Sequence, residues 1–217
     1  RTTLQIAGQR LHPIETLGPN DRLAVIGVGG YGRGEMAPYS DVDLLFLIPQ
    51  TPSQRTENLI ESMLYMLWDL KLKVGHSTRT IRDCVTLGRE DFTIQTALLE
   101  HRFIAADVAL AQDLDETLKT DLFAGTGRSF IEAKLEERDA RHRKQGLRYV
   151  VEPNVKEAKG GLRDLQSLFW IAKHIYSVEH AADLVDRGVF LEEEFKTFVA
   201  AENFLWAVRG HLHLISG

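Results

Sequence analysis

The sequence has a single cysteine, Cys84, among its 217 residues. One thiol excludes an internal disulfide framework and any metal site built on cysteines, and it fits a reducing, cytoplasmic setting. Long apolar runs are missing as well: Lys, Arg, Asp or Glu interrupts every hydrophobic stretch before it reaches the length of a membrane span. The opening residues, Arg1-Thr2-Thr3-Leu4-Gln5, lack the basic-then-apolar layout of a signal peptide. There is no excess of positive charge. The net charge of -5 argues against nonspecific binding to DNA or RNA, which needs a concentrated basic face. An acidic chain that handles phosphates has to recruit cations locally. Repeats and low-complexity segments are also absent. What is present is an ordinary globular composition, 44% hydrophobic and 26% charged. Its length suits one large domain or two small ones. The chain opens on Arg1, and Gly217 follows an apolar helical pattern with no stop signal, so it reads as a piece of a longer protein.

The hydrophobic pattern changes along the chain. Arg22 to Val28, a short branched apolar run ending in glycines, predicts a buried strand, and Asp41 to Ile48 predicts a second, closed by Pro49. Leu59, Ile60, Met63, Leu64, Leu67 and Leu70 recur at helical spacing and predict a helix from Gln54 to Lys71. Leu72 to Thr80 has the character of a third strand, and further short elements lead through Ala97-Leu98-Leu99 to Ile104. After Asp107 helical patterns dominate: Val108 to Leu122, Arg128 to Gln145, Leu162 to Tyr176 and Leu191 to Ile215. A loop from Glu152-Pro153-Asn154 to Gly160-Gly161 interrupts them. The expected fold is α+β: residues 1–106 form a small mixed sheet with helices, and residues 107–217 form an all-helical domain.

The most informative stretch is Gly29-Gly30 followed by Ser40-Asp41-Val42-Asp43. Side chains alternate along a strand, so Asp41 and Asp43 share one face while Val42 and Leu44 take the other. Two carboxylates so close repel each other unless a cation sits between them. Mg²⁺ held by one or two carboxylates plus substrate phosphates meets that need, and two such ions would clamp the attacking and leaving oxygens of a phosphoryl displacement. A glycine-rich turn lets the backbone approach a triphosphate closely. Arg33 offers a charge-assisted contact to phosphate and Ser40 a hydroxyl. Either motif alone is commonplace in a turn or at a strand end; the two together at this spacing are much rarer.

Gly27, Gly29, Gly30, Gly32 and Gly34 also imitate a dinucleotide-binding glycine motif. Spacing excludes that fold. A parallel crossover needs a helix of roughly ten to twelve residues, and here Asp41 and Pro38 follow the glycines too soon.

From Gly29-Gly30-Tyr31-Gly32-Arg33-Gly34-Glu35 through Ser40-Asp41-Val42-Asp43-Leu44-Leu45, the sequence resembles the nucleotidyltransferase signature of the PII uridylyltransferase/uridylyl-removing enzymes. The resemblance continues through Leu67-Trp68-Asp69, Val74-Gly75-His76-Ser77-Thr78-Arg79-Thr80 and Thr96-Ala97-Leu98-Leu99-Glu100. It extends to Glu152-Pro153-Asn154-Val155-Lys156-Glu157 and Lys159-Gly160-Gly161-Leu162-Arg163-Asp164-Leu165-Gln166. The Asp-x-Asp pair alone indicates only the polymerase β-like superfamily; the Gly160 to Gln166 segment narrows the match. The resemblance implies a polymerase β-like nucleotidyltransferase fold followed by helices. It also implies Mg²⁺ (or Mn²⁺) at Asp41 and Asp43, UTP as substrate, and UMP transfer to a tyrosine of the PII signalling protein with release of pyrophosphate. The implied partners include neither nucleic acid nor membrane. In that family glutamine regulates the reaction and a separate His-Asp domain removes the uridylyl group. None of the eight histidines here precedes an aspartate. Protein adenylyl transfer and a silent nucleotide-binding module are the rival functions.

One departure stands out. The superfamily commonly has a third carboxylate on a neighbouring strand, yet Val74 to Thr80 contains no acid. Glu100 and Asp164 are candidate substitutes, each with a plainer structural role open to it, and His76 is either a nucleotide contact or an ordinary strand residue. Lys156, Lys159 and Arg163 put three cations near a glycine pair that opens a helix, an arrangement suited to a nucleotide's phosphates or to a plain interdomain turn. The basic run Arg138, Arg141, His142, Arg143 and Lys144 reads as a solvated helix face. Phe169, Trp170, Phe195, Phe198, Phe204 and Trp206 read as helical-domain core.

Overall fold

Branched and apolar residues place two strands, β1 (Ala24–Gly27) and β2 (Val42–Leu47), in the middle of a four-stranded sheet. The outer strands are β3 (Val74–Arg79) and β4 (Arg102–Ala106), giving the order β3-β2-β1-β4. This computed structural model describes residues 1–146, 154–178 and 180–216. It divides into two units, Arg1–Leu122 and Phe123–Gly217.

The sheet is mixed, as expected. β1 runs antiparallel to β2 and to β4, whereas β2 and β3 are parallel. β1 and β2 are joined through a five-residue helix, Gly29–Arg33, so the link is not the right-handed crossover between parallel strands that a dinucleotide fold requires.

Alternation along the strands sorts the core. Val25, Leu44 and Phe46 pack on one face against Leu59, Ile60, Met63 and Leu64 of the helix Gln54–Asp69, with Leu4 of the first helix, Thr2–Ile6, beside them. In chain order these helices are α1 (Thr2–Ile6), α2 (Gly29–Arg33) and α3 (Gln54–Asp69). Ser53 caps α3, accepting a hydrogen bond from the Thr56 amide, an arrangement worth about 1 kcal/mol. Ala24, Ile26, Leu45 and Leu47, on the alternate positions, are buried too. β2 is therefore apolar on both faces except at its start, where the aspartates lie.

Three further helices complete the first unit. Thr80 and Asp83 cap α4 (Ile81–Glu90) reciprocally. Cys84 on α4 is fully buried, and burial pushes its thiol up to about 12, so the thiol is inert at neutral pH. α5 (Phe92–Leu99) leads back to β4. α6 (Val108–Thr117) packs on β1 and β4 and is tied to the start of β1 by Arg22, whose Nε lies 2.7 Å from Asp107. The sequence changes character at Asp107, while the first unit runs on through α6 to Leu122.

In the second unit every described regular element is helical: α7 (Gly127–Gly146), α8 (Leu162–Tyr176), α9 (Asp183–Asp186) and α10 (Glu192–Ser216). Phe130, Leu162, Trp170 and Leu184 are buried in it, and His174 stacks on Phe130 at 4.4 Å. Phe204 departs from the sequence expectation of a core aromatic: it is 66% exposed, because it falls on the outward side of α10. Glu152 and Pro153, which open the loop ahead of α8 in the sequence, lie outside the described residues.

Phe46 has no exposed surface. Phe46→Ala is expected to lower stability by about 3–5 kcal/mol, measured by urea unfolding followed by circular dichroism; a loss below about 1 kcal/mol would contradict the described core.

Candidate active site

The backbone turns sharply after β1 because Gly29 adopts a left-handed φ of +56°, a conformation that favours glycine. α2 follows at once and ends at Gly34, also left-handed at +79°. The Val28 amide donates to the Asp43 carbonyl at 3.1 Å, fixing the glycine turn beside the start of β2. The exposed Tyr39, with a φ of +62°, brings the chain to Ser40 and Asp41. Asp41 is exposed and sits one residue ahead of β2, whereas Asp43 is half-buried within it.

Asp43 is flanked by glycines on two sides. A Cβ on Gly29 would stand 3.3 Å from Asp43 Oδ2, and a Cβ on Gly75 would overlap the Asp43 carboxylate outright. Gly75 is the residue paired with Asp43 across the parallel ladder. It stands on β3 where a third acid would face the pair, and the missing side chain leaves the carboxylate its room. The fit of a divalent cation rests on this cradle. Asp43 with glycines on two sides, and Asp41 two residues before it, suit an ion that completes its shell with phosphate and water oxygens. Asp41 and Asp43 are the residues that would hold it. Among the described residues no group of three or more His, Cys, Asp and Glu side chains is placed to bind a metal.

Both candidate substitutes for a third carboxylate are engaged in ion pairs. Glu100 caps the C-terminus of α5 and is 4% exposed, not a surface residue, and its Oε2 receives Arg33 Nη1 at 2.5 Å. Its charge is neutralised inside the fold. Asp164 belongs to the helical unit and is bound there by Arg141, His142 and the Gly160 amide. His76 alternates with Gly75 and Ser77, and its ring meets Trp68 of α3 at 6.1 Å. It occupies the sheet face opposite Asp43.

Arg33 is engaged differently from the sequence expectation. Its Nε donates to Glu35 at 2.9 Å, its Nη1 reaches Glu100, and its side chain is only 14% exposed. The guanidinium braces the glycine turn against the end of α5. Arg102 adds a second brace the sequence did not reveal, donating to the Gly32 carbonyl at 2.8 Å and the Tyr31 carbonyl at 2.6 Å. Carbonyls at a helix end lack the full set of intrahelical partners; that of Tyr31 also accepts from the Gly34 amide at 3.3 Å. Gly32 packs too tightly on the Glu100 backbone to carry a side chain. The sequence singles out Glu100 as a candidate metal ligand, whereas no local motif marks Arg102.

The loop ahead of α8 is closed on itself. Gly160 takes a left-handed φ of +76°. The amides of Leu162, Arg163 and Asp164 donate to the carbonyls of Val155, Lys156 and Gly161 at 2.9 to 3.0 Å. The backbone N–H groups at the start of α8 therefore already have partners. Arg163 reaches Gln166 at 3.1 Å and Glu157 at 3.4 Å and lies over the Trp170 ring, and Lys156 Nζ is 3.9 Å from Glu157. Arg141 and His142 are not a solvated face either: both turn inward onto Asp164. Burial alone would raise the Asp164 carboxyl, but its hydrogen bonds from Gly160, Arg141 and His142 hold it below the ordinary carboxylate range.

With this geometry in hand, the comparisons with known proteins fall into place. A family model described as a nucleotidyltransferase domain matches residues 14–104, and one described as GlnD PII-uridylyltransferase matches residues 129–217. A bifunctional uridylyltransferase/uridylyl-removing enzyme of Ruegeria pomeroyi is 64% identical over the whole chain. The chain belongs to this family. Enzymes of the same printed name from Cereibacter sphaeroides and Rhodopseudomonas palustris are 61% and 48% identical, over 99% and 100% of the chain. The chain spans about a quarter of these relatives, 24%, 23% and 23% of their lengths. The small mixed sheet with two acids at the start of β2 is thus the nucleotidyltransferase domain of the family, and the matched helical segment covers most of α7 and all of α8, α9 and α10. No described helix is long and apolar enough to cross a membrane.

Two substitutions test the geometry by stability alone. Alanine in place of a strand glycine ordinarily gains about 0.5–1 kcal/mol, but Gly75→Ala is expected to forfeit that gain, because the added methyl forces the Asp43 carboxylate to turn. A stabilised variant would mean that the space is open. Asp164→Asn is expected to lose about 2 kcal/mol at neutral pH, the worth of hydrogen bonds to a charged group. Because the folded carboxyl is depressed, its contribution is present above the unfolded pKa near 3.9 and disappears as pH falls through the lower folded value. The difference in thermal unfolding between wild type and variant should shrink as pH falls from about 7 through that range; a difference that does not shrink would contradict the ion-pair assignment.

Proposed function

We propose that this chain transfers UMP from UTP to a tyrosine hydroxyl of a PII signalling protein. The tyrosine oxygen forms a bond to the α-phosphorus, the bond from that phosphorus to the bridging oxygen breaks, and pyrophosphate leaves. The observation that carries the reading is the glycine-cradled carboxylate pair in a nucleotidyltransferase domain. A bound Mg²⁺ or Mn²⁺ at Asp41 and Asp43 supplies charge stabilisation for the phosphoryl oxygens.

The chain's own residues prepare the rest. Gly29 and Gly30 let the triphosphate approach the backbone, because no Cβ projects from the turn. Ser40 offers a hydroxyl beside the first acid. Arg33, Glu100 and Arg102 act one step back by holding the glycine turn where Asp43 needs it. Lys156 and Arg163 meet nucleotide in this proposal only by leaving Glu157. Their removal therefore separates a phosphate contact, read as weaker UTP binding, from a structural brace, read as a lower unfolding temperature. Catalysis is assigned to residues 1–106 and the supporting helices to residues 107–217, in a protein working in the cytoplasm with neither nucleic acid nor membrane as partner. No histidine here precedes an aspartate, so removal of the uridylyl group is assigned to no residue of this chain.

The test is a transfer assay with each labelled nucleoside triphosphate, Mg²⁺ and purified PII protein. UMP incorporation from UTP is expected, with Asp41→Asn and Asp43→Asn each reducing it by more than about a hundredfold while circular dichroism is unchanged. Preference for ATP with a different acceptor protein would make the chain an adenylyltransferase. Nucleotide binding without pyrophosphate release would make it a silent module, and near-normal activity in both mutants would remove the site assignment.

A further inference from the structure

The face of the sheet that carries Asp43 continues downward through Leu45 and Leu47 on β2 and through Ser77 and Arg79 on β3, in the register Gly75↔Asp43, Ser77↔Leu45 and Arg79↔Leu47. One rung below the acid this face opens into a cavity of about 170 Å³. Val28, directly before the glycine turn, lines it with Leu45, Ser77 and Arg79, and α5 closes it with Thr93, Ile94, Ala97 and Leu98. A cavity therefore adjoins both the glycines and the acid, on the side to which the acid belongs.

Its size and lining point to a particular kind of occupant. An apolar cavity of ~150 Å³ holds one benzene ring, so this one has room for a six-membered heterocycle. The walls are mainly aliphatic, which suits the faces of a flat ring. The polar groups are few: the Arg79 guanidinium, which only donates, and the hydroxyls of Ser77 and Thr93, which donate or accept. Arg79 is also differently placed from the other arginines of this unit already described. Arg22, Arg33 and Arg102 are each held by carboxylates or carbonyls, whereas the Arg79 side chain has no ion pair or hydrogen bond among the described residues.

We infer that this cavity is the pyrimidine subsite of the nucleotide and that Arg79 selects uracil, an inference that rests on the proposed nucleotidyl transfer. Uracil presents carbonyl oxygens that a donor-only guanidinium satisfies and a ring N–H that a hydroxyl accepts. Cytosine keeps the O2 carbonyl but places an amine where uracil has its C4 carbonyl, so a guanidinium addressed to that position meets a donor in place of an acceptor. A site built to hydrogen-bond one group rejects the analogue lacking it more strongly than an apolar pocket rejects a change in size. Arg79 thus serves as a specificity residue, while Ala97 keeps the cavity open.

The test uses the full-length enzyme with PII protein as acceptor. It compares UTP, CTP and ATP in steady state for wild type, Ala97→Leu and Arg79→Met, and measures displacement of bound UTP by inorganic tripolyphosphate. Ala97→Leu is expected to raise KM for UTP by about tenfold or more, the effect of filling a snug pocket, with tripolyphosphate binding unchanged. Arg79→Met is expected to reduce the preference for UTP over CTP by at least about tenfold. An Ala97→Leu enzyme with wild-type KM overturns the inference. So does an Arg79→Met enzyme that weakens UTP, CTP, ATP and tripolyphosphate in parallel, since Arg79 would then be a phosphate contact. Should Ala97→Leu fail to fold, Thr93→Val keeps the volume and removes a hydroxyl; an unchanged UTP-to-CTP ratio in both Thr93→Val and Arg79→Met counts against the subsite. Wild type that transfers no nucleotide refutes the proposed function itself, whereas wild type that transfers UMP beside unaffected variants refutes the subsite alone.

Discussion

The Asp43 carboxylate has room only because its neighbours have no side chains. Gly29 approaches it from the turn after β1, and Gly75 faces it from β3, so closely that a methyl group there would collide with it. Everything around the site serves this crowding. β1 and β2 run antiparallel, so the glycine turn returns directly to the acid. The parallel pairing of β3 places a glycine, not a side chain, at the matching rung. β2 supplies the rigidity. Below Asp43 it carries four buried residues on alternating faces, Leu44 and Phe46 on one side and Leu45 and Leu47 on the other. A charge stands at the head of such a strand only where the strand leaves the core.

The arginines illustrate a division of labour. Arg33 and Arg102 would be natural phosphate contacts in an acidic chain, yet Arg33 is bound to Glu35 and Glu100 and Arg102 closes the end of α2. Both stabilise the shape of the glycine turn rather than presenting charge at it. Glu100 matters through the same link. With Arg33 removed, a carboxylate that is 3% exposed would lose its cation, and stranding a buried charge is costly. The helical unit repeats the pattern: Asp164 gathers Arg141, His142 and the Gly160 amide and locks the loop that opens α8.

Much of this was legible in the sequence because local patterns encode it. The apolar run at β2, the helical spacing of Leu59, Ile60, Met63 and Leu64, and the glycines before Asp41 and Asp43 each have a short-range physical cause. The exclusion of a crossover helix needed only counting, and β1 and β2 are indeed antiparallel. What stayed hidden depends on partners far apart in the chain. Arg33 and Glu100 are 67 residues apart and Arg102 and Gly32 are 70 apart, so no local window shows that these charges meet. The basic residues of α7 looked solvated because Asp164, which turns Arg141 and His142 inward, lies more than twenty residues on. Gly75 looked like a missing acid; its meaning emerged only once the ladder set it against Asp43.

In the proposed reaction Asp41 and Asp43 hold the metal that meets the nucleotide. The most direct measurement is anomalous diffraction from crystals of the full-length enzyme grown with Mn²⁺ and a non-hydrolysable UTP analogue. An anomalous peak coordinated by the Asp41 and Asp43 carboxylates and by phosphate oxygens of the analogue is expected, with the triphosphate running along Gly29 and Gly30. A peak on the nucleotide that touches neither aspartate would contradict it.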